Sequence, residues 1–244
     1  GFSTGHGFLR EPQSIQSYAA LAAIAIQSNQ NDQHGGQSVP KFDFDMAPGV
    51  RKTYIRSYRQ NLQKACELLC AAADASLEPV FAKLTESGLV PTLEPDKGYV
   101  QAERELLMQV LGCDEKAAEN AQRFAQKYSY EETERATYQA MEGLILDLNT
   151  MHSRAGAQTP FSSLNYGTDT SPEGRMVIRN MLLAEQAGLG HGETPIFPIH
   201  IFKVKEGVNY NPGDPNYDLF QLACKVSAKR LFPNFSFIDA PFNL

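Results

Sequence analysis

The feature that most constrains this chain is an alternation of elements confined to its last third. Residues 161–166 read as a strand, 172–187 as a helix, 195–204 as a strand, 217–231 as a helix and 233–239 as a closing strand. Parallel strands need a long crossover, and a helix of this length supplies one. The order strand–helix–strand–helix–strand therefore predicts an α/β fold with right-handed crossovers. Residues 195–204 are rich in Ile, Phe and Val without strict alternation, which predicts a strand buried on both faces. Ser171 and Pro172 suit the N-cap and the first helical position. Turns are expected at 188–192 and at 211–215, where Gly and Pro cluster.

Residues 1–153 read differently, as mostly helix. A first helix is predicted over 12–27, and its stretch 19–26 is apolar nearly all round. Such a helix is buried, in a core or at a subunit interface. Pro48 is read as opening a long helix to about residue 84, in which Tyr54, Tyr58, Leu62, Ala65 and Leu69 recur at three- and four-residue steps. Pro79 should break or kink it. Residues 98–128 are helical with an interruption at 112–114, where Asp114 can cap a new helix. A further helix is predicted over 130–152, with Glu131, Glu132 and Glu134 in its first turn.

Two polar segments stand out against this frame. Residues 29–38, Asn-Gln-Asn-Asp-Gln-His-Gly-Gly-Gln-Ser, contain no apolar side chain. Such a segment gains little from burial, and inside a core each polar group needs a partner. It reads either as a solvated loop or as a strand whose amides and glycines meet a ligand. Residues 161–170 place Ser163 and Asn165 on one strand face, ahead of Gly167 and a helix N-terminus. Helix N-termini favour anions, but Asp169 would oppose a phosphate there, and a plain capped helix explains the same residues.

Composition narrows the classes. A net charge of −6 over 244 residues argues against a nucleic-acid-binding surface as the main function. Neither a membrane-spanning apolar run nor a signal peptide is visible. Cys66, Cys70, Cys113 and Cys224 form neither a disulfide framework nor a zinc spacing. They are expected to be reduced and inert in apolar helical settings, as in a cytoplasmic protein. No histidine shares ligand spacing with acids or cysteines, so no metal site is expected. The chain lacks an initiator Met and closes just after a strand, as if cut from a longer protein.

Four segments, taken together, carry a family likeness: Phe-Ser-Thr-Gly-His-Gly-Phe-Leu-Arg at 2–10, residues 28–38, Gln-Thr-Pro-Phe-Ser-Ser-Leu-Asn-Tyr-Gly-Thr-Asp-Thr at 158–170, and Thr-Pro-Ile-Phe-Pro-Ile at 194–199 with Asp-Pro-Asn-Tyr at 214–217. The chain resembles the anaerobic (class III, glycyl-radical) ribonucleoside-triphosphate reductases, over essentially its whole length. The resemblance implies part of a ten-stranded α/β barrel, with residues 1–244 belonging to one catalytic barrel domain. It implies reduction of ribonucleoside triphosphates to deoxyribonucleoside triphosphates by radical chemistry, with formate or a thiol as reductant. It also implies a homodimer regulated by ATP and deoxynucleotides. The glycyl radical would be generated by a partner activase with S-adenosylmethionine and an iron–sulfur cluster. The radical segment, a zinc site and the catalytic cysteines would all lie outside these residues, so this piece alone should be inactive.

By order in the chain, the resemblance gives Ser162, Ser163 and Asn165 to the substrate side of the barrel. Arg154, Gly156 and Gln158 fall on an effector-signalling loop, and Gln33 and His34 near the nucleotide sites. It places residues 29–38 on a barrel strand and its exit. The alternatives are another glycyl-radical enzyme of the pyruvate formate-lyase type and a non-catalytic helical interaction module.

Overall fold

The computed structural model describes residues 10–32, 35–70, 75–151 and 159–241. The chain runs α1 (Ile15–Asp32), β1 (Gln37–Val39), α2 (Phe42–Leu69), α3 (Glu78–Glu86), α4 (Lys97–Leu111), α5 (Glu115–Thr150), β2 (Ser162–Tyr166), α6 (Pro172–Ala187), β3 (Ile199–Val204), α7 (Tyr217–Arg230) and β4 (Asn234–Phe237). It is an α/β fold, helix-rich in its first part. The four strands form one parallel sheet in the order β1-β2-β3-β4. None of the described helices is long and apolar enough to cross a membrane.

Consecutive order decides where the helices lie. Right-handed crossovers that always step the same way put every connecting helix on one face of the sheet. Burial agrees. Leu164 and Tyr166 of β2, and His200, Phe202 and Val204 of β3, are buried, whereas Ser163, Asn165, Ile199, Ile201 and Lys203 are only half-buried. The sheet thus has one helix-covered face and one open face. The expected double-sided burial of β3 is corrected to strict alternation, because none of the described helices covers its second side.

The helices of the first part form one packed layer. α2 lies on α5, and both touch α1 and α6. Fully buried Tyr54, Tyr58, Leu62, Leu107, Met141, Leu144 and Leu148 belong to one core that continues to the sheet through Leu164, Met181 and Phe202. Buried polar groups inside it are partnered. Thr133 and Thr137 donate to the carbonyls of Ser129 and Thr133 at 2.7 and 2.8 Å. Asn61 bridges Ser129 and Glu132, each at 3.0 Å. Glu103, fully buried, accepts from Tyr58 at 2.6 Å, from Gln122 at 2.9 Å and from Tyr99. Burial raises its pKa against the pull of those three donors.

Several element boundaries differ from the sequence reading. Pro48 lies inside α2, at its seventh residue, and not at its start. Phe42 is the true first residue, with Asp43 and Asp45 in the first turn, where the dipole favours acids. Pro79 begins α3 instead of kinking a longer helix. The predicted helix over 130–152 is no separate element, since α5 runs unbroken for 36 residues and leaves its three glutamates in mid-helix. Residues 29–32 extend α1, and only residues 37–38 of the polar segment enter β1. The segment is therefore a helix end followed by the start of a strand. α1 buries Ile15, Ala19, Ala23 and Ile26 but exposes Ala20, Ala25 and Ile24, the last at 46%. Its all-round apolar stretch is covered on one side only.

Candidate functional site

The open face of the sheet carries the candidate site. Registered residues of parallel strands point the same way, so three rows cross this face. They are Ser38–Ser163–Ile199, Asn165–Ile201–Asn234 and, at the C-terminal end, Lys203–Ser236. The surface is hydroxyls, amides and one ammonium among isoleucines. Lys203 Nζ reaches across to the carbonyl of Pro40, just past β1. Asn165 Oδ1 is screened from solvent and meets no hydrogen-bond donor among the described residues. An acceptor left so is costly unless something else supplies the donor.

Parallel sheets bind ligands beyond the C-terminal ends of their strands. Here that rim is held rigidly. Gly167 follows β2 with φ +127°, a conformation that favours glycine, and an added Cβ would meet the Lys203 carbonyl at 3.0 Å. Asp43, at the start of α2, turns one carboxylate oxygen to the N–H groups of Gly167, Thr168 and Asp169 at 2.9, 3.1 and 3.0 Å. It is 1% exposed, and burial raises its pKa although the backbone donors oppose the shift. Two buried asparagines hold the same loop from the other side. Asn209 donates to the carbonyls of Gly167 and Lys203 at 3.0 and 2.8 Å, and Asn216 to those of Gly167 and Asp169 at 3.1 and 2.8 Å. Ser171 caps α6 by accepting from Gly174 N–H at 3.1 Å.

Behind the sheet lies a fully buried polar chain. Tyr166 and His200 Nδ1 share a hydrogen bond of 2.9 Å, and His200 Nε2 lies 3.1 Å from Glu185 of α6. That second contact does not meet the geometry of a hydrogen bond.

Of the residues singled out from sequence, Ser163 and Asn165 share the open face. Ser162 does not. It is buried on the helix side, with its hydroxyl on the Pro160 carbonyl at 3.3 Å. Gln33, His34, Arg154, Gly156 and Gln158 lie outside the described residues. Described neighbours on either side are held by hydrogen bonds. Gln30 donates to the Thr159 carbonyl at 3.4 Å, and Asn149 accepts from Ile196 and Phe197 N–H at 3.0 and 3.1 Å. Asp43 and Lys203 escaped the sequence reading. A lysine inside an apolar strand, and an acid just after Pro40 at a helix start, were the signals available. No group of three or more His, Cys, Asp or Glu side chains that could hold a metal ion is found among the described residues.

The family model for anaerobic ribonucleoside-triphosphate reductase matches residues 1–244. The chain belongs to that family. Among the reductases of this name, that of Enterobacteria phage T4 is 39% identical over 96% of this chain and 29% of its own length. That of Haemophilus influenzae is 36% identical over 96% of the chain and 25% of its own. That of Salmonella typhimurium is 26% identical over the same shares of each. The chain thus spans about a quarter of the length of these reductases. Neither rival reading is favoured by these matches.

Proposed function

We propose that this chain is the part of an anaerobic ribonucleoside-triphosphate reductase that supplies one wall of its substrate chamber. The whole protein reduces ribonucleoside triphosphates to deoxyribonucleoside triphosphates. The carrying observation is Asn165 Oδ1 on the open polar face, which meets no donor among the described residues, beside Ser163 and below Lys203. A ribose hydroxyl is a donor of the right kind for that oxygen, and a triphosphate is the natural partner for Lys203 at the rim. Consecutive parallel strands with helices on one side suit a barrel wall whose open face lines the chamber. Ten strands would close it, with the remainder contributed outside these residues.

The glycyl radical of the whole enzyme, made by a radical activase, would supply hydrogen-atom abstraction. This chain's residues bind and orient. Ser163 and Asn165 hold polar edges of the nucleoside, Ile199 and Ile201 exclude water, and Asp43 keeps the rim loop fixed. The apolar strip Ala20–Ile24–Ala25 on α1 suits contact with a second copy. By its order in the chain, the stretch 154–160 suits a loop through which a bound deoxynucleotide or ATP signals to the chamber.

The test uses the full-length protein, activated without oxygen and given ribonucleoside triphosphates. Deoxynucleotides should form, and Asn165→Ala should lower kcat/KM about tenfold, as loss of one hydrogen bond of ~1.4 kcal/mol implies. No deoxynucleotide from the activated wild type overturns the function. An unchanged kcat/KM in the variant overturns the placement of Asn165.

A further inference from the structure

The polar chain behind the sheet is out of character with its surroundings. Tyr166 of β2, His200 of β3 and Glu185 of α6 are fully buried in the core that holds Leu164, Phe202, Met181 and Leu182. The Tyr166 hydroxyl and His200 Nδ1 are 2.9 Å apart, and the two rings meet edge to face with centroids 5.8 Å apart. His200 Nε2 lies 3.1 Å from a Glu185 oxygen. Neither that nitrogen nor either Glu185 oxygen has a hydrogen-bond partner among the described residues. Burial holds the Tyr166 phenol well above its ordinary range, so the O–H keeps its proton. With that O–H donating to Nδ1, the ring proton sits on Nε2, the nitrogen nearest Glu185.

Such a chain is not the most stable filling for the space. Apolar side chains of the same volume are commonly as stable or more so, because a buried charge loses more by leaving water than its pairing returns. What a hydrogen bond and a paired charge add is a single preferred geometry.

That geometry is diagonal. In the register of β2 on β3, Leu164 faces His200 and Tyr166 faces Phe202. Tyr166 therefore reaches back by two residues to meet His200, and Glu185 continues the line to α6. A link straight across two strands resists their parting. A diagonal one also resists the sliding of one strand along the other. Asn165 and Ile201 are partners in the same register, with Tyr166 just after the first and His200 just before the second. The brace thus crosses directly behind the Asn165–Ile201 pair of the open face.

We infer that Tyr166, His200 and Glu185 are positioning residues, a diagonal brace that fixes β2 on β3 so that Asn165 Oδ1 is held where a ribose hydroxyl of a ribonucleoside triphosphate meets it. The inference rests on the place proposed for Asn165 in the substrate chamber. None of the three side chains touches the nucleotide, since all lie on the helix-covered side. A hydrogen bond weakens steeply as its angle closes. A small slide of β2 is therefore enough to spoil the Asn165 contact while the fold stays intact.

The test is a double-mutant cycle on the full-length protein. Its readout is the dissociation constant, by equilibrium dialysis without radical activation, of whichever of the four ribonucleoside triphosphates the wild type binds most tightly. Binding without turnover keeps this outcome separate from whether the reduction occurs. Tyr166→Phe removes one oxygen and keeps the ring. It should weaken binding about fivefold in the wild-type background and less than about twofold in Asn165→Ala, where the contact it supports is already gone. Weakening by the same factor in both backgrounds overturns the inference alone, because the hydroxyl then acts on general stability and not through Asn165. So does a Tyr166→Phe variant that binds like the wild type. An Asn165→Ala variant that binds like the wild type, or a wild type that binds none of the four nucleotides, overturns the inference together with the placement it rests on. If Tyr166→Phe does not fold, Glu185→Gln, which keeps the shape and removes the charge, takes its place in the same cycle with the same outcomes.

Discussion

Replacing Asp43 is the sharpest test of how the rim of the site is held. One carboxylate oxygen accepts from three successive backbone N–H groups at 2.9–3.1 Å, in a position 1% exposed. A hydrogen bond to a charged group contributes about 1.5–3 kcal/mol net. Three that share one oxygen do not add in full, and burial of the charge works against them. Asp43→Ala should therefore cost about 3–5 kcal/mol, leaving three amides without an acceptor. Asp43→Asn keeps one oxygen for the loop but sets an amide N–H₂ against Phe44 N–H, which Asp43 now accepts at 3.1 Å. That variant should cost about 1–2 kcal/mol.

The assay is hydrogen exchange by mass spectrometry on peptides covering residues 167–169 of the full-length protein. A local loss of ~3 kcal/mol raises the opening equilibrium about 100-fold, and exchange should quicken accordingly in the Ala variant. Peptides of α3 and α4 should not change. Exchange at 167–169 within twofold of the wild type in Asp43→Ala would refute the claim that this carboxylate fixes the loop.

Two further outcomes follow from the same geometry. Gly174→Ala would put a Cβ 2.1 Å from the Asp169 carboxyl carbon, so the start of α6 must shift, with a loss of about 1–3 kcal/mol seen as a lower melting temperature. Glu103 has a folded-state pKa raised above its ordinary 4.5, so the folded state binds its proton more tightly than the unfolded state does. Its contribution is most favourable below about 4.5 and declines as pH rises through the folded value. The melting temperature of the wild type relative to Glu103→Gln should thus fall with rising pH over that interval, and a flat difference would contradict it.

Much of the sheet half was legible because its signals are local. Ser171 before Pro172 marked the start of α6, and short alternating runs between turn residues marked β2 and β4. Asp114 before the final helix of the first part was equally plain, since a cap acts within three residues. Pro48 misled because it is the commonest start signal, whereas α2 begins six residues earlier with no capping side chain. The helix tolerates it because the carbonyl it leaves unbonded belongs to Phe44, whose residue is 45% exposed. The polar segment divides between a helix end and a strand start, and its buried Gln30 finds a partner in the Thr159 carbonyl, 129 residues away. Asp43 was illegible for a physical reason. Its three donors lie 124–126 residues away, and no local rule connects them.

The contact between Asp43 and the loop after β2 has one more consequence. Three consecutive amides converging on one point are the cradle in which proteins commonly seat phosphate. Here the protein's own carboxylate already fills it. An anion reaching this rim would meet a filled cradle with a carboxylate inside. The β2 end of the rim is thereby closed to polyanions by a contact made within the fold itself.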